Sequence, residues 1–252
     1  MRFKDKVVAI TGGAQGLGAY YAARFADAGA DVAVCDVASC DDTAADVRSR
    51  GRAALGLQTD VTKAADCTAF IAASEAELGG VDILINNAAL YGGLSFGAFS
   101  TLDEDEWDAC MTVNVKGVWQ MCKAVLPAMQ KRSGGSIVNI ASLAATYGMP
   151  YGVHYAASKG AVISMTRAIA REVGRYDIRV NAVAPSLIDT PGTKQFLKDR
   201  EEKMTGAVVA GQTIRKQVDE ADVAGTVMYL ASDDAKLITG QTIAVDGGTV
   251  ML

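Results

Sequence analysis

Seven short runs constrain the fold of this chain more than anything else in it: KVVAI, DVAVCD, LGLQTDV, VDILINN, SIVNIAS, IRVNAVAP and TIAVDGG. They are rich in β-branched residues and nearly all apolar, and stretches with helical spacing separate them. A strand with one face in water alternates polar and apolar residues. A run without that alternation is buried on both faces, as in a parallel sheet covered by helices above and below. The expected fold is therefore α/β: a doubly wound, seven-stranded parallel sheet flanked by helices on both faces. With 252 residues, half of them hydrophobic, one such domain over 1–252 is expected. The longest interval without a strand pattern, 190–213, falls between the sixth and seventh runs. Its helical charge spacing inside glycine-bearing ends reads as a substrate lid.

Composition removes several function classes. A net charge of -5 and a pI of about 5.0, without basic runs, argue against nucleic-acid and membrane-surface partners. No apolar run approaches the ~18 residues of a spanning helix and the N-terminus has no signal-peptide pattern, so the expected location is cytoplasmic. The five cysteines (Cys35, Cys40, Cys67, Cys110, Cys122) form no CxxC pair, which argues for reduced thiols. One histidine and no paired cysteines supply too few ligands for a catalytic zinc, so no metal is expected.

The first run leads directly into TGGAQGLG, with Gly12, Gly16 and Gly18 around Gln15 and Leu17, and then into a helical stretch. Glycines there allow a tight turn and close backbone approach, so that helix-terminal N–H groups face a pyrophosphate. The second run ends in Asp36, followed by Val37, 18 residues past Gly18. A carboxylate at that place accepts hydrogen bonds from ribose hydroxyls and repels a 2′-phosphate; with no lysine or arginine beside it, NAD is favoured over NADP. Asp60 and Val61 end the third run, where they can meet an adenine. Asn86, Asn87, Ala88 and Ala89 end the fourth, and the two amides either stitch loops together or touch a ligand.

Tyr155 and Lys159 stand at i and i+4, on one helix face about 6 Å apart along the axis. A nearby ammonium favours phenolate and is expected to draw the phenol's pKa down toward the working range. Ser142 ends the fifth run, at the sheet edge where such folds place their ligand crevice. Asn114, polar in a largely apolar helical stretch, is either a buried structural amide or a water anchor. The lone histidine, His154, precedes Tyr155 but points about 100° away from it on a helix. It is read as packing or pocket wall ahead of an essential base.

The ordered set TGxxxGxG at Thr11 to Gly18, Asp60, NNAA at Asn86, Asn114, Ser142 and YxxxK at Tyr155 to Lys159 resembles the short-chain dehydrogenase/reductase family over nearly the whole chain. The resemblance implies a Rossmann fold and a tetrad of Asn114, Ser142, Tyr155 and Lys159. In that tetrad Tyr155 is the general acid/base, Ser142 orients the substrate oxygen, Lys159 holds the nicotinamide ribose and Asn114 anchors a water. It also implies that PSLIDT contacts the nicotinamide carboxamide through Ile188 and Thr190 after Pro185, and that the chain forms a homotetramer. Two positions depart from the family pattern: Ala89 replaces a glycine, and so does Ser186. The implied activity is NAD(H)-dependent interconversion of a small-molecule secondary alcohol and a ketone. The alternatives are a sugar 1-dehydrogenase, a 3-oxoacyl thioester reductase, or an NADH-binding scaffold without catalysis.

Around the substrate the sequence offers Tyr91, Leu94, Phe96, Leu143, Tyr147, Met149, Tyr151 and Ser186, a mostly apolar and aromatic set. Each aromatic either lines the pocket or packs under loops. Lys194, Lys198, Arg200 and Lys203 in the lid are interleaved with Asp199, Glu201 and Glu202, and read as a solvated face.

Overall fold

The structure is a computed structural model that describes residues 1–197 and 201–251. Seven parallel strands form one sheet: β1 (Val7–Thr11), β2 (Asp31–Asp36), β3 (Ala54–Gln58), β4 (Ile83–Asn86), β5 (Gly135–Ile140), β6 (Ile178–Pro185) and β7 (Thr242–Val245). Their order is β3-β2-β1-β4-β5-β6-β7. The chain winds outward from β1 to β3, returns to β4 on the other side of β1 and continues to β7, so the winding reverses between β1 and β4. Connections diverge there and leave a crevice at the strands' carboxyl ends.

Successive residues of each strand enter different cores, which is why the runs look continuously apolar. Val8 and Ile10 of β1, with Val32 and Val34 of β2, pack against Tyr21 and Phe25 of α1 (Gly16–Asp27), Val47 of α2 (Asp41–Ser49) and Val223, Val227 and Leu230 of α10 (Glu220–Ala231). The alternate residues Ala9, Ala33 and Leu84 face Phe70 of α3 (Ala64–Leu78), Met121 and Val125 of α5 (Val118–Lys131) and Val162 of α7 (Val153–Val173). Burying each of the large side chains contributes about 1.5–3 kcal/mol. That burial holds the loops at the strand ends in fixed register.

The remaining helices frame the crevice. α4 (Glu104–Met111) continues into α5 through a π turn over Thr112–Gly117 that contains Asn114, where the stretch's periodicity suggested one unbroken helix. α6 (Ala144–Tyr147) follows β5, and α7 begins at Val153 and carries His154, Tyr155 and Lys159. The expected lid contains α8 (Pro191–Leu197) and α9 (Glu201–Gly211). Lys198, Asp199 and Arg200 lie outside the described residues. Lys194 pairs with Asp189 at 2.9 Å at the surface.

Among the described residues no helix is long and apolar enough to cross a membrane, and no group of three or more His, Cys, Asp or Glu side chains could hold a metal. All five cysteines are buried free thiols.

Candidate active site

A cleft of about 820 Å³ opens at the carboxyl ends of the strands, where the winding reverses. One half is walled by Gly12, Gln15, Gly16, Leu17, Asp36, Val37, Asp60, Val61, Asn87, Ala88 and Ala89, all expected there, together with Thr59 and Thr62. Gln15 stands at the N-cap of α1 but supplies no side-chain cap, and no acid occupies the first turn. The helix therefore begins with N–H groups and a positive dipole end uncompensated by side chains. Gly12 has φ +67, a conformation that favours glycine. Gly18 does not line the cleft. A Cβ there would lie 2.0 Å from the Gly12 carbonyl oxygen, so its missing side chain lets α1 pack directly under the loop.

Other groups brace this half. The Asp36 carboxylate accepts the N–H groups of Ala14 at 3.2 Å and Ala38 at 3.1 Å, tying the glycine loop to the end of β2. The Asn87 amide donates to the Thr11 and Gly12 carbonyls at 3.1 and 3.0 Å. The Asn86 amide donates to Asn139 at 2.8 Å, and Asn139 to Thr166 at 2.9 Å. Both amides thus stitch loops and strands, and of the two only Asn87 also reaches the cleft. Thr62 donates to Asp60 through its hydroxyl and its N–H, which together hold the carboxyl below its usual value. Ala89 is not among the residues with positive φ, so its methyl group adds no backbone strain.

Ser142, Tyr155 and Lys159 meet on the cleft wall between the two halves. Ser142 lies two residues past the end of β5, and its hydroxyl meets the Tyr155 phenol and accepts the Ala144 N–H at 3.1 Å. Lys159 is buried; its Nζ donates to the Ile140 carbonyl at 2.8 Å and lies 5.7 Å from the Tyr155 ring centre. Burial pushes the phenol up to about 12, with Ser142 pulling against it, and draws the Lys159 ammonium down to about 8. The expected fall of the Tyr155 pKa is therefore reversed in the protein alone. Loss of water around an anion outweighs a cation that is directed at a backbone carbonyl.

Asn114 lies behind the cleft, fully buried. Its Oδ1 accepts the Leu90 N–H at 2.7 Å, and its Nδ2 faces the Leu90 carbonyl and the Ser158 hydroxyl at 3.1 Å and Cys110 Sγ at 3.4 Å. Those acceptors use both hydrogens, so this side chain has no N–H left for a water. The amide thus ties the Leu90 loop to α7, and its Oδ1 keeps a second lone pair as an acceptor.

The other half of the cleft is apolar. Leu143, Met149, Ser186, Tyr91, Phe96 and Tyr147, expected around the substrate, line the cleft, and Pro185, Ile188 and Thr190, expected at the carboxamide, line it too. Tyr91 packs between Tyr155 and Phe196, at centroid distances of 4.8 and 4.5 Å. The Ser186 hydroxyl is buried without a hydrogen-bond partner. Two expectations are corrected. Leu94 is turned away into a small core with Cys110, Phe196 and Leu197. Tyr151, at φ +62, is 58% exposed and rests on Phe96 outside the cleft. His154 also lies outside the cleft, buried beside Glu106. The lid contributes Phe196, Leu197, Met204, Ala207 and Val208, which the sequence reading passed over for its charges. The signal was an apolar stripe at i, i+3 and i+4 from Met204.

Known proteins are similar to this chain over nearly its whole length. The family model described as enoyl-(acyl carrier protein) reductase matches residues 12–250. The 2-(S)-hydroxypropyl-CoM dehydrogenase 3 of Xanthobacter autotrophicus is 38% identical over 251 residues, covering 98% of this chain and 97% of its own. The chain belongs to the short-chain dehydrogenase/reductase family. Another short-chain dehydrogenase/reductase relative, the 7α-hydroxysteroid dehydrogenase of Bacteroides fragilis, is 36% identical over 250 residues, covering 98% of this chain and 95% of its own. Among solved structures, one described as a short-chain alcohol dehydrogenase from Sinorhizobium meliloti superposes with a TM-score of 0.91 at 35% identity, over 98% of this chain and 96% of that one. As a member of the short-chain dehydrogenase/reductase family, the protein is an oxidoreductase.

Proposed function

We propose that the protein is an NAD(H)-dependent oxidoreductase that interconverts a secondary alcohol and a ketone, with Tyr155 as general acid in reduction and general base in oxidation. The whole chain, 1–252, acts as one domain with 190–213 as its lid. The observation that carries this reading is the meeting of Ser142, Tyr155 and Lys159 at the border between the polar and apolar halves of one cleft.

The residues present fit a dinucleotide. The uncapped start of α1 and the glycine cradle suit a pyrophosphate. Asp36 suits ribose hydroxyls, and among the described residues lining the cleft the sole cation is Lys159, so nothing there neutralises a 2′-phosphate. Ile188 and Thr190 would hold the carboxamide end. When bound, the dinucleotide accepts or supplies the hydride.

The chain's own residues manage the proton. With its phenol pushed up to about 12, Tyr155 holds its proton at neutral pH and can donate it to a ketone oxygen. Ser142, beside it, orients the same oxygen. Lys159, charged below about pH 8, stabilises the phenolate left behind. Asn114 keeps Leu90 and Ser158 in register around the pair.

The substrate is a neutral, moderately apolar molecule, because its half of the cleft is built largely from Leu143, Met149, Tyr91 and Phe196, with the unpartnered Ser186 hydroxyl as a polar anchor. The family resemblance implies a homotetramer, which light scattering checks. The function is tested by following NADH formation from NAD with aliphatic, aryl, sugar and anionic secondary alcohols. Turnover of the apolar alcohols supports the reading. Preference for sugars or for 3-hydroxyacyl thioesters replaces its substrate half, and tight NADH binding without any turnover overturns it in favour of a scaffold.

A further inference from the structure

His154, the chain's only histidine, is 1% exposed although it sits in the first turn of α7 beside Tyr155. Its Nε2 lies 3.1 Å from Oε1 of Glu106 in α4. A carboxylate only accepts, so Nε2 carries the hydrogen and donates it. The same oxygen accepts the backbone N–H of Ser95, in the loop between β4 and α4. The other ring nitrogen, Nδ1, is buried without a partner, so the imidazole's hydrogen bonding is spent on Glu106. Burial favours the neutral acid, yet the donors from Ser95 and His154 outweigh it and hold the Glu106 carboxyl below its usual value. One oxygen atom thereby joins the loop, α4 and the start of α7.

The loop held in this way carries the wall opposite Tyr155. Asn114 fixes it at Leu90, and the Gly97 N–H donates to the Tyr151 carbonyl at 3.0 Å. Between these points Tyr91 packs 4.8 Å from the Tyr155 ring, and Phe96, next to Ser95, lies 5.7 Å from Phe196. No strand or helix forms between Asn86 and Phe99, so few backbone bonds hold the segment in place.

We propose that His154 is a positioning residue: through Glu106 it fixes the Tyr91–Phe96 segment as the substrate-facing wall opposite Tyr155 and so sets the affinity for the ketone. The affinity part rests on the function proposed above, whereas the clamp does not. His154 acts through Glu106 and meets no reacting atom, so its loss changes KM more than kcat.

Two variants separate this role from simple packing. His154→Leu removes the donor at similar size, and His154→Gln keeps one, because the amide nitrogen reaches the place of Nε2. Hydrogen exchange of residues 90–98, measured on the full chain without ligand, is expected to quicken about tenfold in His154→Leu and to stay near wild type in His154→Gln. With acetophenone and NADH, KM of the Leu variant rises about tenfold while kcat stays within about threefold, and the Gln variant restores both. Glu106→Ala reproduces the Leu variant, and the double variant adds little to either single one. Should His154→Leu fail to fold, Glu106→Ala decides. Unchanged exchange in both variants, equal damage from Leu and Gln, faster exchange at constant KM, or loss of kcat at constant KM would each overturn the proposal. A wild type that turns over no ketone overturns the function instead, and the exchange data then judge the clamp alone.

Discussion

At its β1–β2 end the cleft is walled largely by backbone: a glycine loop, the start of α1 and strand ends braced by Asp36 and Asn87. At its β5–β6 end it is walled by side chains from the loop after β4, the turn around Leu143 to Met149 and the lid. The first wall is fixed by sheet register and by the absence of Cβ atoms, so few substitutions fit it. The second is a set of packed rings and aliphatic chains, which can change without disturbing the sheet. On the proposed function, cofactor identity rests with the first wall and substrate identity with the second, with Tyr155 at the border.

The comparison breaks first at that border. Tyr155→Phe is expected to lower turnover about 10³-fold, the size of a lost acid/base step, while NADH binding, measured by fluorescence, survives. Damage to both together would mean that the halves are not separable. Within the backbone wall, Gly18→Val places a branched side chain against the Gly12 carbonyl. Denaturant unfolding should show a loss of about 2 kcal/mol, with weakened NADH binding and an unchanged ketone KM in the fraction that binds. Asp36→Ala should narrow the preference for NADH over NADPH about tenfold, read from kcat/KM with each. The smallest effect belongs to the side-chain wall: Phe196→Ala is expected to raise ketone KM about fivefold and leave the NADH dissociation constant alone.

The pH profile sharpens the border's chemistry. A phenol raised to about 12 is protonated at neutral pH, so alcohol oxidation, which needs the phenolate, should rise from pH 7 to 10. Ketone reduction needs the phenol and the Lys159 ammonium, and should decline as pH passes about 8. Initial rates in both directions check the opposite signs.

The sequence made the two walls unequally legible. Gly12 to Gly18, Asp36 and Asn87 lie at strand ends, and a strand end is located by the apolar run before it, so their places could be read directly. The substrate wall depends on loop backbone that no periodicity records. Tyr151 was expected inside and lies outside because its backbone turns at φ +62, and Leu94 points into a core that only the folded lid creates. The π turn at Asn114 is likewise invisible in a pattern that fits a plain helix. His154 and Glu106 are 48 residues apart, so nothing local pairs them. The i, i+4 spacing placed Tyr155 and Lys159 on one helix face, whereas the rise of the phenol's pKa in the protein alone follows from burial, which spacing does not record.

The account stands most directly on a steady-state comparison of the wild-type protein with NADH and NADPH against a single apolar ketone. It predicts kcat/KM for NADH at least about tenfold above that for NADPH, since the Asp36 carboxylate on the proposed cofactor wall would repel a 2′-phosphate and no lysine or arginine lines that wall among the described residues. Equal values, or a preference for NADPH, would contradict it.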